Sequence, residues 1–112
     1  MAVAKFDTLR TKGFAAITGS YTTVGSPIAF NFRLFDLTNN TDGDLFISFD
    51  GTHDNMFLPA ASMKVRDLST NSPPIKTSDN FVLAIGTQIY VRYNTAPTAG
   101  DLWVEGSYAT GV

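Results

Sequence analysis

The sequence predicts an all-β domain, a single jelly-roll-like β-sandwich of about eight short antiparallel strands. Apolar and polar residues alternate over several short segments, as in strands with one buried face. Clusters of Gly, Pro, Asn and Asp separate these segments and predict turns. Thr and aromatic residues, which favour strands, are frequent, whereas Glu, which favours helices, occurs only at Glu105.

The first clear strand pattern runs from residue 28 to residue 37. One predicted face carries Ile28, Phe30, Phe32 and Leu34, and the other carries Ala29, Asn31 and Arg33. Phe35 and Leu37 break this alternation, which indicates a bulge or a strand end buried on both faces. The turn sequence 39–44 then predicts a hairpin, whose second strand places Leu45, Ile47 and Phe49 on one face.

The later strands follow the same logic. Pro59 limits segment 56–58 to an edge or a strand end. A loop is predicted over 71–80, around the Pro73-Pro74 pair. The apolar faces of the other predicted strands comprise Met63, Val65 and Leu68; Phe81, Leu83 and Ile85; Ile89, Val91 and Tyr93; and Leu102, Val104, Gly106 and Tyr108.

Two short strands are predicted upstream, over 14–17 and 21–24. Residues 3–12 show no strand pattern, and we expect a short helical turn or an extended arm with Phe6 and Leu9 as its apolar contacts. The predicted organisation is therefore an N-terminal arm over 1–12 and a β-sandwich domain over 13–112.

Composition restricts the classes of function. The 112 residues suit one domain, and the absence of Cys excludes disulfides and thiolate metal sites. The net charge of −2 argues against nucleic acid and anionic membrane surfaces as partners, because both require a basic face. No apolar run reaches the length of a membrane span, and no secretory signal opens the chain, so we expect synthesis in a cytoplasm.

Candidate catalytic and metal-binding residues are few. His53 stands between Asp50 and Asp54, and this arrangement favours a solvated turn over a metal ligand or general base. Asp36, Asp42 and Asp44 lack the spacing of an EF-hand, so a hairpin turn is preferred and a shallow calcium site stays the alternative. The carboxylates available for acid–base chemistry are Asp67, Asp79, Asp101 and Glu105. We expect no enzyme and no cofactor.

Aromatic residues at strand positions that alternate with the predicted core positions indicate more about function than these candidates do. Phe46, Tyr90, Trp103 and, at a strand end, Phe35 occupy such positions. They predict either an exposed binding or oligomer surface, or a core face assigned to the wrong side.

Four segments resemble small virion proteins of tailed bacteriophages, above all the capsid decoration, or staple, proteins of short-tailed phages that infect enteric bacteria. The segments read LFISFDGT at 45–52, FLPA at 57–60, FVLAIGTQIYVR at 81–92 and GDLWVE at 100–105. The resemblance extends over about residues 28–109, and similar patterns occur in phage tail and neck proteins. It implies a domain without catalytic residues that binds the outside of a capsid and bridges major capsid protein subunits.

This resemblance and the residue patterns together define the expected partner surface. The major capsid protein is the expected partner, and a second copy of the chain is the other one considered. The predicted partner-binding residues are Lys5, Phe6, Leu9, Arg10, Phe46, Tyr90 and Trp103. The alternative function is a carbohydrate-binding or host-recognition module of a phage tail, with Trp103 and Tyr90 as its stacking platform.

Overall fold

A computed structural model describes residues 3–68 and 82–110 of the chain. These residues form nine β-strands and one 3-10 helix, which spans Phe14–Ala16. The strands are β1 (Val3–Phe6), β2 (Arg10–Gly13), β3 (Thr22–Thr23), β4 (Leu34–Thr41), β5 (Leu45–Ser48), β6 (Met56–Leu58), β7 (Ser62–Asp67), β8 (Tyr90–Tyr93) and β9 (Gly100–Thr110).

The strands build two antiparallel sheets that pack face to face. The five-stranded sheet has the order β1-β9-β4-β7, and β2 pairs with β9 beyond the end of β1. The four-stranded sheet has the order β3-β8-β5-β6. The predicted all-β sandwich is confirmed, with nine strands in the described residues, and its jelly-roll connectivity stays a prediction.

The core lies between the two sheets and is built from their alternating inner positions. β9 contributes Leu102 and Val104, as predicted, and β8 contributes Val91. The buried apolar residues are Ile17, Val24, Ile28, Phe32, Phe35, Leu37, Leu45, Ile47, Met56, Leu58, Ile89, Val91, Leu102 and Val104. Burial of these side chains is the main stabilising contribution, since no disulfide is possible.

Phe32 occupies the core from outside the regular strands. It pairs with Leu83 through an isolated bridge, and its side chain is only 1% exposed. The ring lies directly over Gly106 of β9, where a Cβ atom would approach it to 2.3 Å. Gly106 therefore makes the space that the Phe32 ring fills.

Several predicted details are wrong between residues 28 and 49. Residues 28–33 form no regular strand, since bends interrupt them and only Phe32 makes an isolated bridge, and β4 begins at Leu34. Phe35 and Leu37 are therefore the core residues of β4, and Leu34 lies on its outer side. The expected hairpin between β4 and β5 is absent from the described pairings, because the 42–44 turn carries the chain from one sheet to the other.

Other corrections concern single elements. Residues 14–16 form a 3-10 helix where a strand was expected. Met63 and Val65 of β7 point outward and are exposed, whereas the predicted core contact of Leu68 is confirmed. Residues 82–85 form no strand beyond the bridge at Leu83, and Ile85 is exposed. Phe81, Asp79 and the predicted 71–80 loop lie outside the described residues.

The corrected face assignment generates the first prediction. Phe32→Ala should destabilise the domain by about 3–5 kcal/mol, because it leaves a cavity above Gly106 that the sheet cannot close. Met63→Ala should change the free energy of unfolding by less than about 0.5 kcal/mol, because this side chain is exposed. Urea melts of both variants and the wild type measure these effects, and equal losses would show that β7 faces the core.

Candidate functional site

The predicted aromatic site residues lie on opposite sides of the sandwich. Trp103 projects from the outer side of the five-stranded sheet, since its neighbours Leu102 and Val104 point into the core. Phe46 and Tyr90 project from the outer side of the four-stranded sheet. Phe35 is a core residue, so for this position the second alternative holds, and the predicted core face is on the wrong side. Trp103 and Tyr90 cannot form one stacking platform.

The outer side of the five-stranded sheet, here called the five-stranded outer face, collects exposed apolar residues from several strands. Cross-strand register places Met63, Thr38 and Trp103 in one row, and Val65, Asp36 and Glu105 in the next. A third row runs from Asp67 through Leu34 and Ser107 to Phe6. The exposed fractions are 80% for Phe6, 59% for Met63 and 47% for Val65. Neighbouring exposed apolar residues of this kind are typical of interaction surfaces.

A small cavity opens on this face between β1 and β4. It is lined by Phe6, Leu34, Asp36, Glu105 and Ser107, with Gly106 at its base, and has a volume of about 60 Å³. A second, larger depression of about 320 Å³ shares Leu34 and Ser107 with the first. The two adjoin at Leu34 and Ser107, and together they are here called the groove over β9.

Two acidic residues line the smaller cavity. Asp36 and Glu105 are direct partners across β4 and β9, so their Cβ atoms lie roughly 5 Å apart. Neither forms an ion pair within the described residues, and the Oδ1 atom of Asp36 is buried without a hydrogen-bond partner there. Like charges in direct cross-strand contact destabilise a sheet.

The four-stranded outer face is organised differently, around Arg92. Its guanidinium lies 4.6 Å from the centre of the Phe46 ring and 5.6 Å from that of Tyr21. Arg92 also binds Asp54 with two hydrogen bonds, Nε to Oδ1 at 3.1 Å and Nη2 to Oδ2 at 2.7 Å. Phe57, 40% exposed, packs beside Phe46 with the ring centres 5.2 Å apart.

This arrangement fixes the charge state of the cluster. Hydrogen bonds from Arg92 and Tyr21 hold the pKa of Asp54 below its ordinary value. Burial, reinforced by the hydrogen bond that Tyr21 donates to Asp54, raises the pKa of Tyr21 to about 12. The donors and acceptors of the cluster are thus used within the chain, and we interpret it as a structural tie between Tyr21, the turn at Asp54 and β8.

The expected arm is part of the sheet. β1 and β2 pair with β9 along 107–110 and 101–104, so the prediction that residues 3–12 contain no strand is wrong. Every residue of β1 is exposed, and for this reason its sequence carries no core pattern. Phe6 and Leu9 are exposed as expected, and Lys5 is an exposed β1 residue.

Arg10 is less available than the sequence suggests. Its guanidinium donates hydrogen bonds to the carbonyl oxygens of Val24, at 3.3 Å, and Ser26, and approaches Asp7 to 3.4 Å. Lys12 likewise donates to the carbonyl oxygen of Thr23 at 2.9 Å. Both cations tie β2 to the segment around β3 across the edge of the sandwich.

Of the His and Asp candidates, His53, Asp50, Asp42 and Asp44 belong to turns, whereas Asp36 lies in β4. The Asp50 carboxylate accepts hydrogen bonds from the backbone N–H groups of Thr52 and His53, and these bonds lower its pKa. Asp42 accepts from Thr98, and Asp44 from the Ala60 N–H, so the two carboxylates hold different loops. Within 3–68 and 82–110, no three His, Cys, Asp or Glu side chains converge as metal ligands would.

No protein-family model matches the sequence, and no curated protein matches it significantly. In the described part of the chain, no helix has the length and apolar character needed to span a membrane.

Sequence reasoning missed Met63, Val65, Asp36 and Glu105 as members of one surface. Met63 and Val65 alternate with Lys64 and Arg66, a pattern that predicts a half-buried strand. The pattern alone does not show that the exposed side is the one that carries Met63 and Val65. Only the pairing of β7 with β4 places them beside Asp36. One feature of the sequence does indicate this surface: Trp103 and Glu105 alternate along the strand with the buried Leu102 and Val104, so they lie on its outer side.

The role of β1 and β2 generates the second prediction. Deletion of residues 1–12 should lower the melting temperature by more than about 10 °C, because it removes the strands that cover one edge of β9 and the tie made by Arg10. Phe6→Ser is the matched control and should shift the melting temperature by no more than about 3 °C. Differential scanning calorimetry measures both, and an unchanged melting temperature of the truncated chain would show that the sandwich does not need these strands.

The Arg92 cluster generates the third prediction. Because the folded-state pKa of Asp54 is depressed, its stabilising contribution is present above about pH 4 and is lost as the pH falls through that lower pKa. Asp54→Asn should therefore be less stable than the wild type at pH 7, and this difference should shrink towards about pH 2. Urea melts at both pH values measure it, and a difference that does not depend on pH would contradict the assignment.

Proposed function

We propose that this chain is a non-enzymatic structural protein of a bacteriophage virion. It binds the outside of the capsid and stabilises the shell by bridging neighbouring major capsid protein subunits. In this proposal the protein is made in the host cytoplasm, acts on the virion exterior and needs neither nucleic acid nor a membrane. The proposal combines the resemblance to decoration proteins with the five-stranded outer face.

The observation that carries the proposal is the exposure of Phe6, Met63 and Val65 beside Trp103 and Leu34 on that face. β9 runs under this surface for eleven residues, roughly 36 Å at about 3.3 Å per residue. A surface of this length can contact two adjoining subunits. Repeated contacts of modest affinity then give long retention, because each contact keeps the other at a high effective concentration.

The alternative, a carbohydrate-binding or host-recognition module, receives less support. Its platform would combine Trp103 with Tyr90, which lie on opposite sides of the sandwich. The Tyr90 ring also packs on the 50–53 turn, where a Cβ at Gly51 would lie 3.1 Å from Cζ. A tail or neck component remains the related alternative, since it needs the same kind of protein-binding face.

An enzymatic role is also less well supported. Asp36 and Glu105 are neighbouring carboxylates, but a catalytic carboxylate pair acts in a cleft that holds the substrate. Their cavity of about 60 Å³ accommodates only a few water molecules.

The fourth prediction tests the proposed function by co-sedimentation with shells assembled without this protein. The wild type should bind at a fixed stoichiometry, whereas Met63→Ser combined with Val65→Ser should bind at least about tenfold more weakly, because apolar contact area is lost. Phe57→Ser is the control, since it removes an exposed apolar side chain from the opposite face. A wild type that ignores shells and binds glycans on an array would contradict the proposal and favour the carbohydrate alternative.

A further inference from the structure

The five-stranded outer face is acidic as well as apolar. Its strand positions carry four ionisable residues in the described sheet, namely Asp36, Asp67, Asp101 and Glu105. No described Lys or Arg occupies an outward position of these strands. Arg33 lines only the far end of the groove, with Asp67. The cavity end of the groove, with Asp36 and Glu105, therefore carries uncompensated negative charge.

The carboxylate pair lowers the stability of the isolated chain. Asp36 and Glu105 repel each other across the strands, and the buried Oδ1 atom of Asp36 lacks the hydrogen bond that a buried polar atom normally has. Nothing in the packing of the described residues requires a charge at either position. A cationic donor placed in the cavity would remove both costs at once.

We infer that this cavity receives a Lys or Arg side chain of the major capsid protein, held between Asp36 and Glu105, with the neighbouring apolar residues of that capsid segment on Phe6, Leu34 and Val65. The inference rests on the proposed function and names the chemistry of the partner. An ammonium or guanidinium group matches the cavity in size and charge, and the aliphatic stem of Lys or Arg matches its apolar rim.

Two other occupants fit less well. A second copy of the chain, bound face to face by a twofold axis, would bring the same acidic face against itself. A hard metal ion takes six or more oxygen ligands, and this cavity offers only two carboxylates and the Ser107 side chain, so water would have to supply most of the others.

The fifth prediction compares charge-neutral variants of the full chain on shells assembled without it. Glu105→Gln and Asp36→Asn should each weaken binding by about tenfold, because each removes half of the acceptor for the cation. Asp101→Asn is the matched control, as it removes a negative charge from the same face and strand outside the cavity, and should weaken binding less than about twofold. The affinity of Glu105→Gln should also depend less on salt concentration than that of the wild type.

The free variants exclude a trivial loss of folding. Glu105→Gln should melt at or above the temperature of the wild type, because it relieves the cross-strand repulsion. A variant that melts higher and binds more weakly separates recognition from stability. If the wild type binds shells and Glu105→Gln is retained equally well, the inference is wrong while the proposed function stands.

A yeast-displayed random peptide library, selected on the immobilised full chain, gives a test without shells. The selected peptides should carry Lys or Arg flanked by apolar residues and should lose binding to Glu105→Gln. A wild type that selects such peptides but ignores shells would contradict the proposed function and the capsid as partner, and would support the cation-binding chemistry. Peptides that bind both proteins equally would overturn that chemistry.

Two results would assign the face to another occupant and overturn the inference. One is a rise in melting temperature with Mg²⁺ or Ca²⁺ that Glu105→Gln abolishes. The other is a dimer in sedimentation velocity that Phe6→Ser dissociates.

Discussion

The sandwich depends on one buried side chain, Asn39, at the end where the chain passes between the sheets. Its amide Nδ2 donates hydrogen bonds to the carbonyl oxygens of Gly43, Leu58 and Pro59 at 2.9–3.0 Å, and its Oδ1 accepts from the N–H and hydroxyl of Thr41. With an exposure of 1%, this group would be very costly if unpaired. Asn39 thereby joins the end of β4 to the end of β6. It also matches a glycosylation sequon, yet its amide is fully used inside the protein.

The rest of this end is built around the same crossing. Asp44 accepts from the Ala60 N–H, and Asp42 binds the Thr98 backbone, so the carboxylates next to Asn39 hold the loops that lead into β7 and β9. A Cβ at Gly43 would lie 2.2 Å from the Thr95 carbonyl oxygen, so only glycine permits this approach. Polar chemistry at this end is thus concentrated in the turns, and the five-stranded outer face takes no part in it. The apolar and acidic residues of the five-stranded outer face are therefore not explained by folding.

Sequence reasoning succeeded where one strand face is buried and turns mark both ends. The inner residues of β8 and β9 follow strict alternation and were predicted correctly. It failed for β1, whose stabilisation comes from backbone pairing with β9 and whose exposed side chains carry no pattern. It also failed at the 42–44 turn, because the same Asp and Gly chemistry serves a hairpin or a crossing between sheets. Phe6 and Trp103 were identified one by one, but their common face follows only from the strand order.

The acidic pair gives the apolar face its selectivity. A sheet face that exposes Phe6, Met63 and Val65 invites association with any apolar surface, including that of a second copy. Asp36 and Glu105 oppose that outcome, because two copies brought face to face would confront their carboxylates in a partly desolvated interface. The same pair attracts a surface that presents a basic side chain among apolar ones. The repulsion between Asp36 and Glu105 thus has two effects: it destabilises the free chain, and it lowers the affinity for a partner without a basic group. Because specificity is a difference between affinities, the second effect favours the basic partner.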